Sequence, residues 1–230
     1  RTVHAKRAPG SAFKPIVYSY AIKKGMKWSD LLYISPISVD GYRPKNSSGS
    51  FLSETTMARA MYKSINTVAI EIGQKLGVSN ILEHAHKLGI DSDLRAEAGS
   101  LLGSSEVYMM EMATAYSALD NNGVKVKPFA IRYITNNEGD VLWEDPGVKS
   151  RSEEVMSDKE AYLMIEGMRN VFKYGTAYKY KGMASYSVGK TGTSNNAKDN
   201  WFCGFTPNLL TTVWVGADKG KGFHKFASGA

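Results

Sequence analysis

The chain has 230 residues, of which 43% are hydrophobic and 22% charged, and this composition excludes disorder, collagen and coiled coil as the main structure. The net charge of +7 comes from 29 basic and 22 acidic residues that are scattered along the chain, so nucleic acid is a weak candidate partner. A single cysteine excludes an internal disulfide and a multi-cysteine metal site, the four histidines lack zinc-ligand spacing, and no apolar run is long enough to span a membrane.

Apolar periodicity predicts that the first half of the chain is mainly helical. The first helix is expected over 11–26, where Pro15 is acceptable because the first turn has unpaired backbone N–H groups. The stretch 30–51 is rich in Pro, Gly, Ser and Asn and is expected to be mostly loop. The remaining predicted helices cover 55–62, a segment through Leu76 that follows a break near Ser64, 79–88, and 105–119 with Ser105 as its cap.

The second half combines one long helix with several strands. Residues 124–143 alternate enough for two or three strands around a turn at 136–139. Ser157 and Glu160 form a capping box for a helix that runs to about residue 172. Three strand-like segments follow, over 185–193, 201–206 and 210–215. A helical middle followed by a β-rich C-terminal part predicts an α+β fold rather than alternating βαβ units.

The first candidate functional pair is Ser11 and Lys14, in the segment PGSAFKP at a predicted helix start. Their spacing puts the hydroxyl and the amine on the same helical face. A serine hydroxyl needs a base to become a nucleophile, and lysine can be that base only if burial or a nearby cation lowers its pKa from about 10.4. The same spacing recurs at Ser187 and Lys190, so the pattern alone fits a helix cap and a solvated lysine equally well.

Two further motifs carry polar groups at points where predicted elements end. Ser64-Ile65-Asn66 lies between two helices, where the hydroxyl could relay a proton and the amide could hold a substrate, or both could simply cap a helix. Residues 190–193, KTGT, end a predicted strand, where the lysine and two hydroxyls could bind a carboxylate. Gly192 would let a substrate lie against the strand edge. The alternative for this motif is an ordinary β-turn with an exposed lysine.

The three motifs follow one another with 53 and 126 residues between their first residues. The same order is typical of penicillin-binding proteins and class A β-lactamases, in which the middle triplet carries an aspartate. More specifically, the chain resembles the transpeptidase domain of class A, bifunctional penicillin-binding proteins over essentially its whole length. Besides the motifs, the closer resemblance is carried by Arg7 to Pro15, Arg43-Pro44-Lys45-Asn46, Ala113-x-Ala115-Tyr116, Trp201 to Pro207 and Val213 to Gly216.

The resemblance implies transpeptidation of D-Ala-D-Ala peptidoglycan stem peptides through a serine acyl-enzyme. Three residues would be catalytic: Ser11 as the acylated nucleophile, Lys14 as its general base, and Ser64 as the relay of a proton to the leaving amine. The positive charge of Lys190 would help to keep Lys14 neutral. The backbone N–H groups of Ser11 and Thr193 would form the oxyanion hole.

The resemblance also implies which residues bind the substrate. Asn66 would hold the donor peptide, and its terminal carboxylate would be bound by the KTGT strand. The residues of that strand are Lys190, Thr191, Gly192 and Thr193. Neither a metal nor an organic cofactor is expected.

The surroundings of the chain are implied by the resemblance as well. The family fold is an α+β antiparallel β-sheet packed by helices on both faces, with an all-helical subdomain. Residues 1–230 are expected to be a partial transpeptidase domain, truncated at its N-terminus, with the glycosyltransferase domain and membrane anchor outside it. Expected partners are donor and acceptor stem peptides, and β-lactams as covalent inhibitors, at the outer face of the bacterial cytoplasmic membrane.

Two other functions remain open on the sequence alone. A serine β-lactamase shares the three motifs, and Glu166 with Asn170 matches the Glu-x-x-x-Asn pattern of class A enzymes, although the capped helix already explains both residues. Rapid hydrolysis of a β-lactam acyl-enzyme would identify that function. A non-catalytic β-lactam-binding sensor or scaffold would instead leave Ser11 without an adduct after penicillin treatment.

Overall fold

The computed structural model describes residues 2–34, 36–39, 41, 43–46, 54–147, 150–194 and 198–217. Within these ranges six α-helices and eleven strands form the predicted α+β fold, and none of the helices has the length and apolar character needed to cross a membrane. The helices are α1 (Lys14–Lys23), α2 (Met57–Tyr62), α3 (Asn66–Leu76), α4 (Val78–Lys87), α5 (Met109–Asp120) and α6 (Asp158–Lys173). The strands are β1 (Lys6–Arg7), β2 (Leu31–Tyr33), β3 (Glu54–Thr56), β4 (Val107–Tyr108), β5 (Val124–Val126), β6 (Tyr133–Thr135), β7 (Val141–Glu144), β8 (Ser152–Glu154), β9 (Val188–Thr193), β10 (Asp199–Thr206) and β11 (Leu209–Gly216).

The three C-terminal strands form an antiparallel sheet in the order β11-β10-β9. Its register sets Lys190 opposite Cys203, and Cys203 opposite Thr212. Helices α5 and α6 pack against this sheet. The other described strands pair two by two, as β1-β4, β2-β3, β5-β8 and β6-β7, each antiparallel.

Most predicted elements are confirmed with small shifts of their ends. The capping box of Ser157 and Glu160 is present at the start of α6, and β6 and β7 flank the predicted turn. Within the expected loop 30–51, β2 pairs with β3, and residues 35, 40, 42 and 47–51 lie outside the described part of the chain. Thr56 rather than Thr55 starts the second helix, since its side chain accepts a hydrogen bond from the Arg59 N–H.

The predicted start of the helix over 105–119 is wrong. Helix α5 begins at Met109, because the preceding Val107–Tyr108 pairs with β1 as a strand. Glu111 then closes the helix end by accepting a hydrogen bond from the Tyr108 N–H at 2.9 Å. The Ser105 hydroxyl instead accepts a hydrogen bond from a backbone N–H of the preceding loop. The pairing of two strands that lie about 100 residues apart in the sequence therefore overrides a local capping signal.

Helix α1 is the centre of the fold, and a 3₁₀ turn over Gly10–Phe13 leads into it. Eight of its ten residues are buried, because it lies between α3, α4 and α6. Polar residues are enclosed together with apolar ones such as Ile16 and Tyr18, and Lys14 has no exposed surface. A functional group at the start of α1 is thus held by the rigid core.

Three glycines allow distant segments to approach this turn backbone to backbone. Gly10 has φ +53° and lies against the Thr193 carbonyl, while Gly103 has φ +76° and lies against the backbone of Gly10. The Gly10 N–H donates to the Gly103 carbonyl at 3.1 Å. Gly192 in turn lies against the Pro9 carbonyl. A β-carbon at any of the three would overlap backbone atoms, so only glycine permits this convergence.

Replacement of Gly103 by alanine tests this convergence. We expect Gly103→Ala to lower the free energy of unfolding by more than about 3 kcal/mol, because strain at positive φ adds to overlap with Gly10. The control is Gly139→Ala, at φ +94° with nothing within 4 Å of the new β-carbon. It should cost only about 1–2 kcal/mol. Urea unfolding measures both, and equal losses would show that the close approach does not require the glycine.

A buried histidine links α1 to α4. His84 is 2% exposed, and its Nε2 lies 2.9 Å from the Ser19 hydroxyl. The one hydrogen of that hydroxyl is donated to the Ile16 carbonyl, so Nε2–H of His84 is the donor to Ser19. Burial, reinforced by Lys23 and Lys87, lowers the pKa of His84 to about 4.

This pKa predicts a pH dependence of stability. The unfolded chain, with a histidine pKa of about 6.5, binds the proton that the folded chain excludes, so stability is lost as the pH falls from about 6.5 to about 4. Between pH 7 and pH 5 the free energy of unfolding should fall by about 2 kcal/mol from His84 alone. Urea unfolding of His84→Gln should lack this contribution, whereas His86→Gln, on the same helix, should retain it. Identical pH profiles for wild type and His84→Gln would contradict the assignment.

Candidate active site

A cleft of about 410 Å³ opens at the start of α1. Residues from all three motifs lie on it: Ser11 from the turn before α1, Asn66 from the start of α3, and Thr193 from the end of β9. Gly103 lies on the cleft as well, and the sequence offered no signal for it. The fold therefore brings together segments that are far apart along the chain.

Lys14 lies beneath this cleft and is fully buried. Its Nζ contacts three oxygens: the Ser64 carbonyl at 2.6 Å, Asn66 Oδ1 at 2.7 Å and the Ser64 hydroxyl at 3.1 Å. Lys14 lies on α1, Ser64 lies in the α2–α3 connection and Asn66 begins α3, so this amine joins two motifs directly. The predicted proximity of the first two motifs is thus observed.

Lys190 approaches the same hydroxyl from the sheet. It is also fully buried, and its Nζ donates to the Ser64 Oγ at 2.9 Å and to the Thr191 carbonyl at 2.9 Å. The Ser64 hydroxyl therefore lies between the side-chain nitrogens of Lys14 and Lys190. This single hydroxyl connects all three motifs.

Burial changes the ionisation of both lysines. It is the larger cause that holds the pKa of Lys14 well below its usual range, and the charge of Lys190 is the smaller cause. Burial also lowers the pKa of Lys190 to about 7, partly opposed by Cys203. A neutral Lys14 would give its two hydrogens to the Ser64 carbonyl and Asn66 Oδ1, which are acceptors only. Its lone pair is then available to accept a proton from a hydroxyl.

The backbone of Ser64, whose carbonyl and hydroxyl make these contacts, adopts a strained left-handed conformation. Its φ is +58°, and the pair of hydrogen bonds from Ser64 N–H to Met61 and from Ile65 N–H to Ala60 closes α2 as a Schellman motif. Glycine normally occupies this left-handed position, and a serine there costs about 1–2 kcal/mol. The sequence predicted a break near Ser64, but the strain is visible only in the structure.

Asn66 is held by a segment that the sequence marked only by resemblance. Asn46 Oδ1 accepts hydrogen bonds from the backbone N–H groups of Asn66 at 3.0 Å and Thr67 at 3.2 Å, so it caps α3 from outside the helix. The Asn66 side-chain amide donates to the Lys45 carbonyl at 2.7 Å. This contact leaves the Asn66 Oδ1 directed at Lys14.

Gly192 of the KTGT strand lies against the turn that carries Ser11. The space beside this glycine is filled by Pro9 and Ala12, so Gly192 serves the contact between the strand and the turn of Ser11. A substrate that pairs along the edge of β9 would not occupy this space, so the expectation that Gly192 helps to bind the substrate stays a prediction. The Thr191 hydroxyl lies 2.7 Å from the hydroxyl of Thr176, a residue that the sequence did not single out. Thr193 is exposed at the strand end and lies on the cleft.

A buried aspartate fixes the end of this strand. Asp199 accepts hydrogen bonds from the Ser194 hydroxyl at 3.0 Å and from the Trp214 indole N–H at 3.0 Å. The guanidinium of Arg7 lies 3.6 Å from the same carboxylate. Asp199 thus ties the end of β9 to β1 and β11, an arrangement that spans about 200 residues and leaves no local sequence signal.

The residues that would favour a β-lactamase lie elsewhere. Glu166 is exposed on α6, and the Asn170 amide lies near the Glu166 carbonyl, as neighbours on one helix face do. Neither residue is among those on the cleft. The Glu-x-x-x-Asn pattern is therefore part of the helix surface.

Comparison with known proteins gives one consistent family. The family model described as the penicillin binding protein transpeptidase domain matches residues 1–226. Penicillin-binding protein 1A of Aquifex aeolicus is 35% identical over 236 residues, which cover 100% of this chain and 32% of that protein. Penicillin-binding protein 1A of Neisseria lactamica is 35% identical over 232 residues, covering 96% of this chain and 29% of that protein. The chain therefore spans about a third of the length of these curated relatives.

Solved structures agree with this family. Penicillin-binding protein 1A from Haemophilus influenzae superposes with a TM-score of 0.87 at 28% identity, covering 95% of this chain and 39% of that chain. PonA1 from Mycobacterium tuberculosis in complex with penicillin V superposes with a TM-score of 0.79 at 25% identity, covering 92% of this chain and 61% of that chain. The family model and these relatives match nearly the whole chain, and its three motifs meet at one cleft. The chain therefore belongs to the transpeptidase domain family of class A penicillin-binding proteins.

Proposed function

We propose that this chain catalyses D-Ala-D-Ala transpeptidation of peptidoglycan stem peptides through an acyl-enzyme on Ser11. The observation that carries the proposal is the buried Lys14 amine, which contacts Ser64 and Asn66 one helical turn from Ser11. Burial lowers the pKa of this amine and so favours the neutral form that a base requires. Since the chain spans about a third of its relatives, the substrates and partners of the whole protein are part of the proposal.

Acylation begins when Lys14 takes the proton of the Ser11 hydroxyl. The Ser11 oxygen attacks the carbonyl carbon of the penultimate D-Ala, and the negative charge that forms on the carbonyl oxygen is stabilised by the N–H groups of Ser11 and Thr193. The proton then passes from Lys14 through the Ser64 hydroxyl to the nitrogen of the terminal D-Ala. The peptide bond breaks, D-Ala leaves as an amine, and an ester of Ser11 remains.

The acceptor stem peptide completes the reaction. Its amine attacks the ester carbonyl and loses a proton, a new peptide bond forms, and Ser11 regains its hydroxyl. A β-lactam follows only the first half, since its leaving nitrogen stays tethered when the ring opens. With Glu166 and Asn170 outside the cleft, we expect slow hydrolysis of that ester.

Substrate binding follows from the charges and hydroxyls around the cleft. Lys190 supplies a positive charge for the terminal carboxylate, and the hydroxyls of Thr191 and Thr193 donate hydrogen bonds to it. Thr176 supports this role, since its own hydroxyl can donate to Thr191 and leave the Thr191 proton for the substrate. Stem peptides of this kind place the reaction at the outer face of the bacterial cytoplasmic membrane.

A labelled-penicillin experiment tests the nucleophile. We expect fluorescent penicillin to label the wild type, and Ser11→Ala to abolish labelling because the attacking oxygen is gone. Ser187→Ala is the matched control, since it removes the serine of the second Ser-x-x-Lys pattern. Ser187 is buried and directly precedes β9. This variant should label normally. Denaturing gel fluorescence measures the adduct, and persistent labelling of Ser11→Ala would refute the assignment.

The lysine pair predicts that the ratio of the acylation rate constant to the dissociation constant of penicillin has a bell-shaped pH dependence. Acidification protonates Lys14, so the first-order rate constant of acylation falls at low pH. Raising the pH through about 7 removes the charge of Lys190, which weakens non-covalent binding of the penicillin carboxylate. Stopped-flow kinetics over pH 4–9 separate the two effects. Lys190→Arg, which stays charged, should lose only the alkaline decline; a flat profile would contradict both assignments.

A further inference from the structure

A buried tyrosine holds the turn that carries Ser11. The hydroxyl of Tyr116, on α5, donates a hydrogen bond of 2.8 Å to the carbonyl of Ala12. The two residues are 104 positions apart in the sequence, and neither has significant exposed surface. The phenol therefore reaches from a separate helix to the residue that follows the nucleophile.

The Ala12 carbonyl belongs to a short turn with few internal constraints. Residues Gly10–Phe13 form a 3₁₀ turn in which the Ala12 N–H donates to the Pro9 carbonyl at 3.2 Å. The geometry of 3₁₀ hydrogen bonds is poorer than that of α-helical ones, so such a turn gains order from outside contacts. A fixed Ala12 carbonyl fixes the peptide plane between Ala12 and Phe13, and with it the backbone of the residue that follows Ser11.

Tyr116 also connects this turn to the sheet that carries Lys190. Helix α5 packs on β10 and β11, and Cys203 of β10, the cross-strand partner of Lys190, lies close enough to Tyr116 to affect its ionisation. On the other side of Ser11, the Trp201 indole of β10 donates to the Ala8 carbonyl at 2.9 Å. The backbone around Ser11 is thus held from the sheet side at two carbonyls.

We propose that Tyr116 is a positioning residue for acylation: its hydroxyl fixes the Ala12 carbonyl and so holds the Ser11 oxygen in the geometry for attack. This inference rests on the proposed function of Ser11. Burial raises the pKa of Tyr116 well above its ordinary value, so the hydroxyl remains a donor at any pH at which the protein works. The hydrogen bond of the Tyr116 hydroxyl goes to the Ala12 carbonyl, so in this proposal the residue acts through the turn.

The test is Tyr116→Phe, which removes one oxygen and keeps the ring. The matched control is Tyr18→Phe, because Tyr18 is equally buried and, among the described residues, its hydroxyl has no hydrogen-bond partner. Each variant is made in the intact protein, and stopped-flow kinetics with fluorescent penicillin give the non-covalent dissociation constant and the acylation rate constant. Thermal unfolding checks that each variant is folded.

We expect Tyr116→Phe to lower the acylation rate constant about tenfold, the effect of one lost positioning hydrogen bond. The dissociation constant and the pH midpoints of acylation should stay within twofold of wild type, because Lys190 and Lys14 are unchanged. Tyr18→Phe should match wild type in every parameter. Site-specific p-aminophenylalanine at position 116, whose amine can still donate to the Ala12 carbonyl, should restore most of the rate.

Three outcomes would overturn the inference. The first is a Tyr116→Phe rate within twofold of wild type, even with a lower melting temperature, because the hydroxyl would then serve stability alone. The second is a shift of the pH midpoint, because Tyr116 would then act on Lys14. The third is an equal loss in Tyr18→Phe. Failure of the proposed function is distinguishable, since wild type would then not be acylated, or Ser11→Ala would be.

Discussion

The rest of the structure depends on one buried arrangement, in which the amines of two lysines contact the same serine hydroxyl. Lys14 and Lys190 both lack exposed surface, and both approach the Ser64 Oγ within about 3 Å. Two ammonium ions so close together without solvent would repel each other and lose hydration, so the pair holds fewer than two protons near neutral pH. Burial of α1 on nearly all sides therefore has a chemical purpose as well as a stabilising one, because a solvated Lys14 would be protonated.

The backbone is strained at one position of this buried site. Ser64 occupies a left-handed position that glycine would fill more easily, and the fold offsets this with the Schellman hydrogen bonds of α2 and the Asn46 cap on α3. The strand side is fixed in the same manner by Asp199, which binds Ser194 and Trp214. Buried polar groups that are hydrogen-bonded in this way make the site rigid. The result is a set of reactive groups placed by the core rather than by mobile loops.

The sequence predicted the helices and the motif residues, which depend on local patterns. It did not predict features that depend on contacts between segments far apart in the chain. Helical periodicity located α1 to α6, and the motif residues Lys14, Ser64, Asn66 and Lys190 do meet in space. The start of α5 was predicted wrongly because a strand pairing with β1 competes with Ser105. Gly103 and Thr176 carried no interpretable signal, and Tyr116 was marked only by resemblance with no role assigned, since each acts through a contact with a residue remote in sequence. A glycine's near neighbours and a phenol's acceptor follow only from tertiary packing.

The contact between Gly192 and Pro9 has an evolutionary consequence. Because the strand that would grip an antibiotic's carboxylate packs directly on the nucleophile turn, no side chain can be added at Gly192 without pushing Ser11 out of place. A larger residue at position 192 therefore cannot exclude an antibiotic from this point without also displacing the proposed nucleophile. A substitution at the exposed rim of the cleft can change its shape without this overlap.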